Sequence, residues 1–337
     1  MTSATAHPRR PLWPLLLLYT VLAGFFAVSL KLQLRRYTVG VLPAASIYVC
    51  LLLLFGLWLA PGFAVSRSWL ASRLRGLARA AMCAGLFSIP YLIYAAGTGD
   101  FRPAAFLKLL IFAFVPFGLY AALPVRHPSG MNLQDILMLL WLAFPVFLGK
   151  LRGIWNVPLN LDFMARLFVV AVGAWGFLIW RGLEGAGYEF RFSSQTLRDG
   201  LLNFAAFSVI AFPLGIAIRF IAWHPRWRGT WQFVFDFVTI FLFIAVSEEL
   251  FFRGLLQNLL EGSWKSRHGA QAAASVLFGF SHIQHAPFPN WRYVILAAIA
   301  GWFYGSAYRR TRSLMASSTT HALVDTVWRT WFTLPRI

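Results

Sequence analysis

The residues best suited to chemistry in this 337-residue chain are Glu248, His282, His321 and Asp325, because each interrupts an otherwise apolar stretch. An ionisable group near the bilayer centre costs on the order of 2.5–3.5 kcal/mol on insertion scales, so each needs a partner or a role. Of the 11 acidic residues, Asp236, Glu248, Glu249 and Asp325 are so placed. In SEELFFRG, Glu249 and Arg253 stand one helical turn apart with the acid first, the favourable order for an ion pair. That pair reads as support. Glu248 is turned about 100° from Glu249 around the helix and has no sequence-local cation. In FGFSHIQH, Phe278 and His282 are one turn apart and His285 falls where the stretch ends; in SSTTHALVD, His321 and Asp325 share a helical face. A carboxylate one turn from an imidazole can fix its tautomer. Ser281 is expected to point to a different face from His282, so no nucleophilic Ser or Cys stands beside a base. What the set can do is general acid–base chemistry: a carboxylate takes a proton from water while imidazoles orient that water or donate to a developing oxyanion.

Depth ties the four together. Glu248 lies 13 residues before Glu261, and His282 lies 14 after His268, across the loop Glu261–Arg267. At 1.5 Å per residue both are about 20 Å from that loop. The chain returns to the same face at Arg309–Arg312, and His321 and Asp325 lie 9 and 13 residues past Arg312, roughly 14 and 20 Å deep. The four groups share one slab.

The elements that must position them are membrane helices. The chain is 59% hydrophobic, 12% charged and has a mean hydropathy of +0.66 with 33 Phe and 15 Trp, far from a soluble surface that is about a quarter charged. An all-α polytopic bundle of about ten or eleven spans is expected, at 12–30, 41–62, 80–97, 104–122, 134–149, 164–181, 200–222, 232–260, 269–284, 291–308 and 314–331. The last-but-one, with Gly301 and Gly305 at small-xxx-small spacing, reads as a close-packing scaffold. The polar run Arg181–Gly200 divides an N-terminal transmembrane region, 1–190, from a region 195–337 that holds the candidate site. The net charge of +19 is spread over short loops without a soluble basic face, which suits a lipid bilayer and argues against nucleic acid. Cys50 and Cys83, both inside spans, form neither a disulfide framework nor a zinc spacing. Arg9 and Arg10 precede an apolar run too long for a signal-peptide core, read as a retained first span. The clusters Arg67–Arg79 and Arg309–Arg312 fall on one face, cytoplasmic by the positive-inside rule, with the N-terminus inside.

Taken in order, Glu248-Glu249-x-x-x-Arg253, Phe278-x-x-x-His282 and His321-x-x-x-Asp325 resemble the three motifs of the CPBP family, which includes type II CAAX prenyl endopeptidases and bacterial bacteriocin-processing or self-immunity proteins. The resemblance covers about 232–331. It implies a glutamate-type intramembrane endopeptidase of a bacterial inner membrane, acting on a membrane-tethered or transmembrane peptide without cofactor or metal. Glu248 and His282 would activate water, His321 and the residue four later would stabilise the oxyanion, and Glu249 and Arg253 would support the site. Many members carry Asn at the last position. Asp325 cannot donate to an oxyanion when ionised, so here it is expected to orient or charge His321.

Two other functions suit the same residues. Intramembrane Glu and His also mark proton relays in transporters and channels, although no internal repeat of the kind common in transporters relates the two halves. The third is a catalytically silent scaffold or immunity protein.

Overall fold

A computed structural model describes residues 13–34 and 39–334; Arg9 and Arg10 lie outside the described residues. Among the described residues the chain forms twelve helices and one pair of two-residue strands. The helices are α1 Trp13–Leu34, α2 Val41–Leu59, α3 Ala64–Arg73, α4 Leu77–Thr98, α5 Pro103–Ala122, α6 Leu133–Phe147, and α7 Phe163–Ala174, which continues as π-helix to Trp180. They are followed by α8 Ser194–Ala217, α9 over 230–263, α10 Arg267–Phe280, α11 Trp291–Thr311 and α12 Leu314–Trp331.

Five helices are long and apolar enough to cross a bilayer: Val41–Gly62, Leu77–Thr98, Pro103–Ala122, Phe163–Trp180 and Ser194–Ala217. Trp13–Val28 and Leu133–Phe147 are apolar but shorter. Of the ten or eleven crossings expected, those five qualify as single helices. Helices α9 to α12 are shorter, more polar or interrupted by changes of helical pitch.

The chain divides into two compact units, one of 1–124 with 151–182 and one of 125–150 with 183–337. In the first, α2, α4, α5 and α7 pack around aromatic rings: Phe87 lies 5.3 Å from both Phe117 and Trp175 and 6.1 Å from Phe168, centroid to centroid. Cys50 and Cys83 are buried there as free thiols.

In the second, α10 packs along α11, while α8, α11 and α12 pack on one another and α9 lies against α12. Polar side chains start these helices by accepting otherwise orphaned amide protons: Ser193 from Thr196, Ser266 from Gly269, Asn290 from Tyr293 and Ser313 from Met315. At the end of α8, strand β1 (Ala222–Trp223) pairs antiparallel with β2 (Phe332–Thr333), tying the start of α9 to the end of α12. The α10–α11 contact depends on small residues. A Cβ added to Gly279 would stand 2.6 Å from the Val294 carbonyl oxygen and 2.9 Å from the Ala298 Cβ. We therefore expect Gly279→Ala to destabilise by about 1–3 kcal/mol, read as a fall of several degrees in the thermal midpoint of the detergent-solubilised protein. An unchanged midpoint would contradict this packing.

Candidate active site

Helix α9 is unusual in its hydrogen bonding. A single α-helical stretch, Val246–Glu249, lies between two π-helical stretches, Phe241–Ala245 and Leu250–Gln257. Such wide turns are rare in helices and are frequently found at functional sites. The α-helical stretch carries Glu248 and Glu249 side by side. As the sequence predicts, they diverge, yet both reach His321 on α12, one at each ring nitrogen.

Glu249 Oε1 lies 2.9 Å from His321 Nδ1 and accepts a hydrogen bond from it. Glu248 Oε2 lies 3.9 Å from Nε2, and Asp325 Oδ2, one turn further along α12, lies 3.6 Å from the same nitrogen. With Nδ1 donating to Glu249, a proton on the Nε2 side is what makes those two contacts attractive. The His321 side chain is 4% exposed, whereas Glu248 and Asp325 are 35% and 29% exposed. The cluster thus has a sealed side and an open side.

Arg253 closes the sealed side. Its side chain and that of Glu249 have no exposed surface. Nη1 donates to Glu249 Oε1 at 3.1 Å and Nη2 to the carbonyl of Gly301 at 2.9 Å. The guanidinium carbon sits 4.6 Å from the Phe278 ring centroid. Glu249 is therefore more than half of an ion pair: the same oxygen that meets Arg253 also fixes His321.

His282 enters differently from expectation. The sequence suggests a span through 284, but α10 ends at Phe280, and His282 lies in the turn that follows. Its backbone N–H bonds the Gly279 carbonyl, while Pro287 and Pro289 prevent the helix from continuing. The imidazole turns back, with Nδ1 2.9 Å from the Phe278 carbonyl oxygen. That carbonyl can only accept, so Nδ1 carries a proton and, in the neutral ring, Nε2 is the acceptor. Ser281 also corrects the sequence reading: its Oγ is 3.1 Å from His282 Nδ1 rather than on a separate face. It is still no nucleophile for this base, since Nδ1 is a donor and the Ser281 hydroxyl donates to the same Phe278 carbonyl at 2.7 Å.

The structure therefore gathers Glu248, Glu249, His321 and Asp325 into direct contact and joins His282 to them through Phe278, whose ring lies 4.8 Å from His282 and 5.8 Å from His321. Two aromatic neighbours, Tyr304 and Tyr293, escaped the sequence reading. Tyr304 stacks on His321 at 4.5 Å, and Tyr293 and His285 lie 4.6 Å and 5.8 Å from His282. Both tyrosines are on α11, read from the sequence as scaffold, and no local motif marks them. Asp236 stands apart, bonded by Gln232 at 2.9 Å and 3.6 Å from both Arg228 and Arg329. Among the described residues no group of three or more His, Cys, Asp or Glu is arranged to hold a metal ion.

A helical site of this kind can be set beside known proteins. Residues 230–327 match the family model of the Rce1-like type II CAAX prenyl endopeptidases. The match runs from the start of α9 to Val327 on α12, under a third of the chain, and contains all three motifs. No curated protein and no solved structure matches. The matched family is one of membrane proteases, consistent with the CPBP and CAAX-protease-like resemblance. Together with the apolar helices it supports an integral, multi-pass membrane protein with a membrane-associated substrate.

Removing one partner of a buried ion pair strands the other, at a cost of about 3–5 kcal/mol, whereas replacing both with apolar groups is often neutral. Arg253→Met should therefore lower the thermal midpoint sharply or prevent purification, and Glu249→Leu with Arg253→Met should recover a folded protein. Equal damage from the single and double variants would disprove the coupling.

Proposed function

We propose that this chain is an intramembrane endopeptidase that hydrolyses a peptide bond in a membrane-tethered or transmembrane substrate with a glutamate-activated water. The observation that carries this reading is the asymmetric His321 cluster: one carboxylate is sealed in with Arg253 to fix the imidazole, and two partly exposed carboxylates flank the other nitrogen. His282, joined to them through Phe278, has Nδ1 held by the Phe278 carbonyl, so that in the neutral ring Nε2 is the acceptor.

In this mechanism Glu248 accepts a proton from water as the water oxygen attacks the scissile carbonyl carbon, and His282 Nε2 orients that water by accepting its second proton as a hydrogen bond. The carbonyl oxygen becomes an oxyanion and takes a hydrogen bond from His321 Nε2–H. Glu248 then delivers its proton to the amide nitrogen, the C–N bond breaks, and carboxyl and amine products leave. Asp325 positions His321 Nε2, the role the sequence suggests for an acid where an amide is common. Glu249 and Arg253 hold the ring. Nothing in these steps calls for a metal or cofactor.

On this reading 195–337 is the protease domain and 1–190 a separate transmembrane region. The helices α9 to α12 lie at membrane depth, giving ten or eleven crossings in a bacterial inner membrane with the N-terminus cytoplasmic. A prenylated CAAX protein is the substrate class that the matched family's description names.

Purified protein should cleave a prenylated or transmembrane peptide in detergent or liposomes. Glu248→Gln should lower the rate by about 10²–10⁴-fold, His282→Ala should abolish measurable turnover, and chelators should have no effect. Undiminished cleavage by Glu248→Gln would end the proposed mechanism. Proton-coupled uptake in proteoliposomes without proteolysis would favour a transporter instead.

A further inference from the structure

Each imidazole of the proposed mechanism has one nitrogen anchored by a hydrogen bond: His321 Nδ1 to Glu249 Oε1 and His282 Nδ1 to the Phe278 carbonyl, both at 2.9 Å. Such a bond sets one direction within the ring but leaves the ring plane free to tilt about it. A tilt swings Nε2 out of line with the group it must meet, and hydrogen bonds weaken steeply once their angle falls below about 120°. Other contacts have to hold the two planes.

Helix α11 brings a ring to each. Tyr304 lies against His321 with centroids 4.5 Å apart and planes within 15°, and Tyr293 lies against His282 at 4.6 Å and 51°. Phe278 meets the same two imidazoles edge-on, at 5.8 Å and 4.8 Å. The two tyrosines are eleven residues apart, about three helical turns, so they project within about 20° of one another around α11. Between them on the same stripe lie Ala297 and Ala300, small residues buried in the core that also holds Phe278. Both tyrosines are themselves braced. Tyr293 is met by Phe220 at 5.0 Å and by Trp328 at 5.5 Å, and its backbone N–H donates to Asn290 Oδ1 at 3.0 Å. Tyr304 is 1% exposed, with Arg253 Cζ 5.4 Å from its ring centroid.

We propose that Tyr293 and Tyr304 are positioning residues, one for each imidazole, and that α11, which carries none of the three motifs, sets the planes in which His282 and His321 work. The proposal rests on the protease reading for its consequence and on the ring geometry for its cause. The hydrogen bonds at Nδ1 and the tyrosine rings act together: the bond fixes a direction within the imidazole and the ring fixes its tilt, so that Nε2 of His282 stays aimed at the water and Nε2 of His321 at the oxyanion. The flat ring does the holding, and the phenol hydroxyl has no part in it.

The test compares Tyr293→Leu and Tyr304→Leu, which remove the ring, with Tyr293→Phe and Tyr304→Phe, which keep it, in full-length protein acting on the prenylated or transmembrane peptide that the wild type cleaves, with Glu248→Gln as control. A misplacement of about 1 Å can cost about 10²-fold, so each Leu variant should lower kcat about 10–100-fold, leave KM within about twofold and displace the pH profile of kcat. Each Phe variant should stay within about threefold of the wild-type rate. Tyr293 is only partly buried, so Tyr293→Leu decides the matter even where Tyr304→Leu does not fold. Wild-type kcat in Tyr293→Leu, a loss of rate with the pH profile unmoved, a loss confined to KM, or a Phe variant as slow as its Leu counterpart would overturn the proposal. If Glu248→Gln is inactive while both Leu variants are normal, only this proposal falls. If Glu248→Gln retains full activity, the protease mechanism falls and takes the proposal with it.

Discussion

A carboxylate with no exposed surface, embedded among apolar helices, keeps its charge only if cations and donors are built around it. Glu249 is that carboxylate, and most of the geometry of the second unit follows from satisfying it. Arg253 must sit on the same helix one turn away, and His321 must arrive from α12 with Nδ1 turned inward. The Gly301 carbonyl must be close enough to take the remaining Arg253 donor, which is why α11 is glycine-bearing and tightly packed at that level. One buried charge thereby fixes the mutual placement of three helices.

That arrangement gives two adjacent residues different surroundings. Glu249 is locked, while Glu248, its chain neighbour, is partly exposed and has only a loose contact of 3.9 Å with the far side of the imidazole. In the proposed mechanism Glu248 exchanges protons and so has to be reachable and weakly held, whereas Glu249 orients another group and has to be neither. The π-helical turns on either side of Val246–Glu249 place this pair at a break in the regular pitch of α9. His282 follows similar logic by different means, since the Phe278 carbonyl one turn back occupies Nδ1 and so leaves Nε2 as an acceptor.

Much of this was legible in the residues. The apolar composition specifies helices in lipid, because backbone polar groups there must be satisfied within the segment. Acidic residues in such helices single out Glu248, Glu249 and Asp325, since each is costly to place, and spacing of four identifies the Glu249–Arg253 and His321–Asp325 contacts. The depths of Glu248, about 20 Å, and His321, about 14 Å, put both in one slab and anticipate a meeting that the structure displays at 3.9 Å. Less was legible where the signal is not periodic. The end of α10 before His282, the return of Ser281 onto that ring and the stacking of Tyr304 on His321 each depend on one local bond or on a partner helix distant in sequence.

What the sequence determined by itself was local and additive: which segments are helical, which polar residues are out of place in them, and which pairs lie one turn apart. These depend on residue type and helical period alone. Only the tertiary structure decided that the two adjacent glutamates take opposite nitrogens of one imidazole. It also decided that the Gly301 and Gly305 carbonyls face Arg253 and Gln257. Those outcomes depend on how helices distant along the chain rotate and approach one another, and that is set by the sum of many packing contacts rather than by any single spacing.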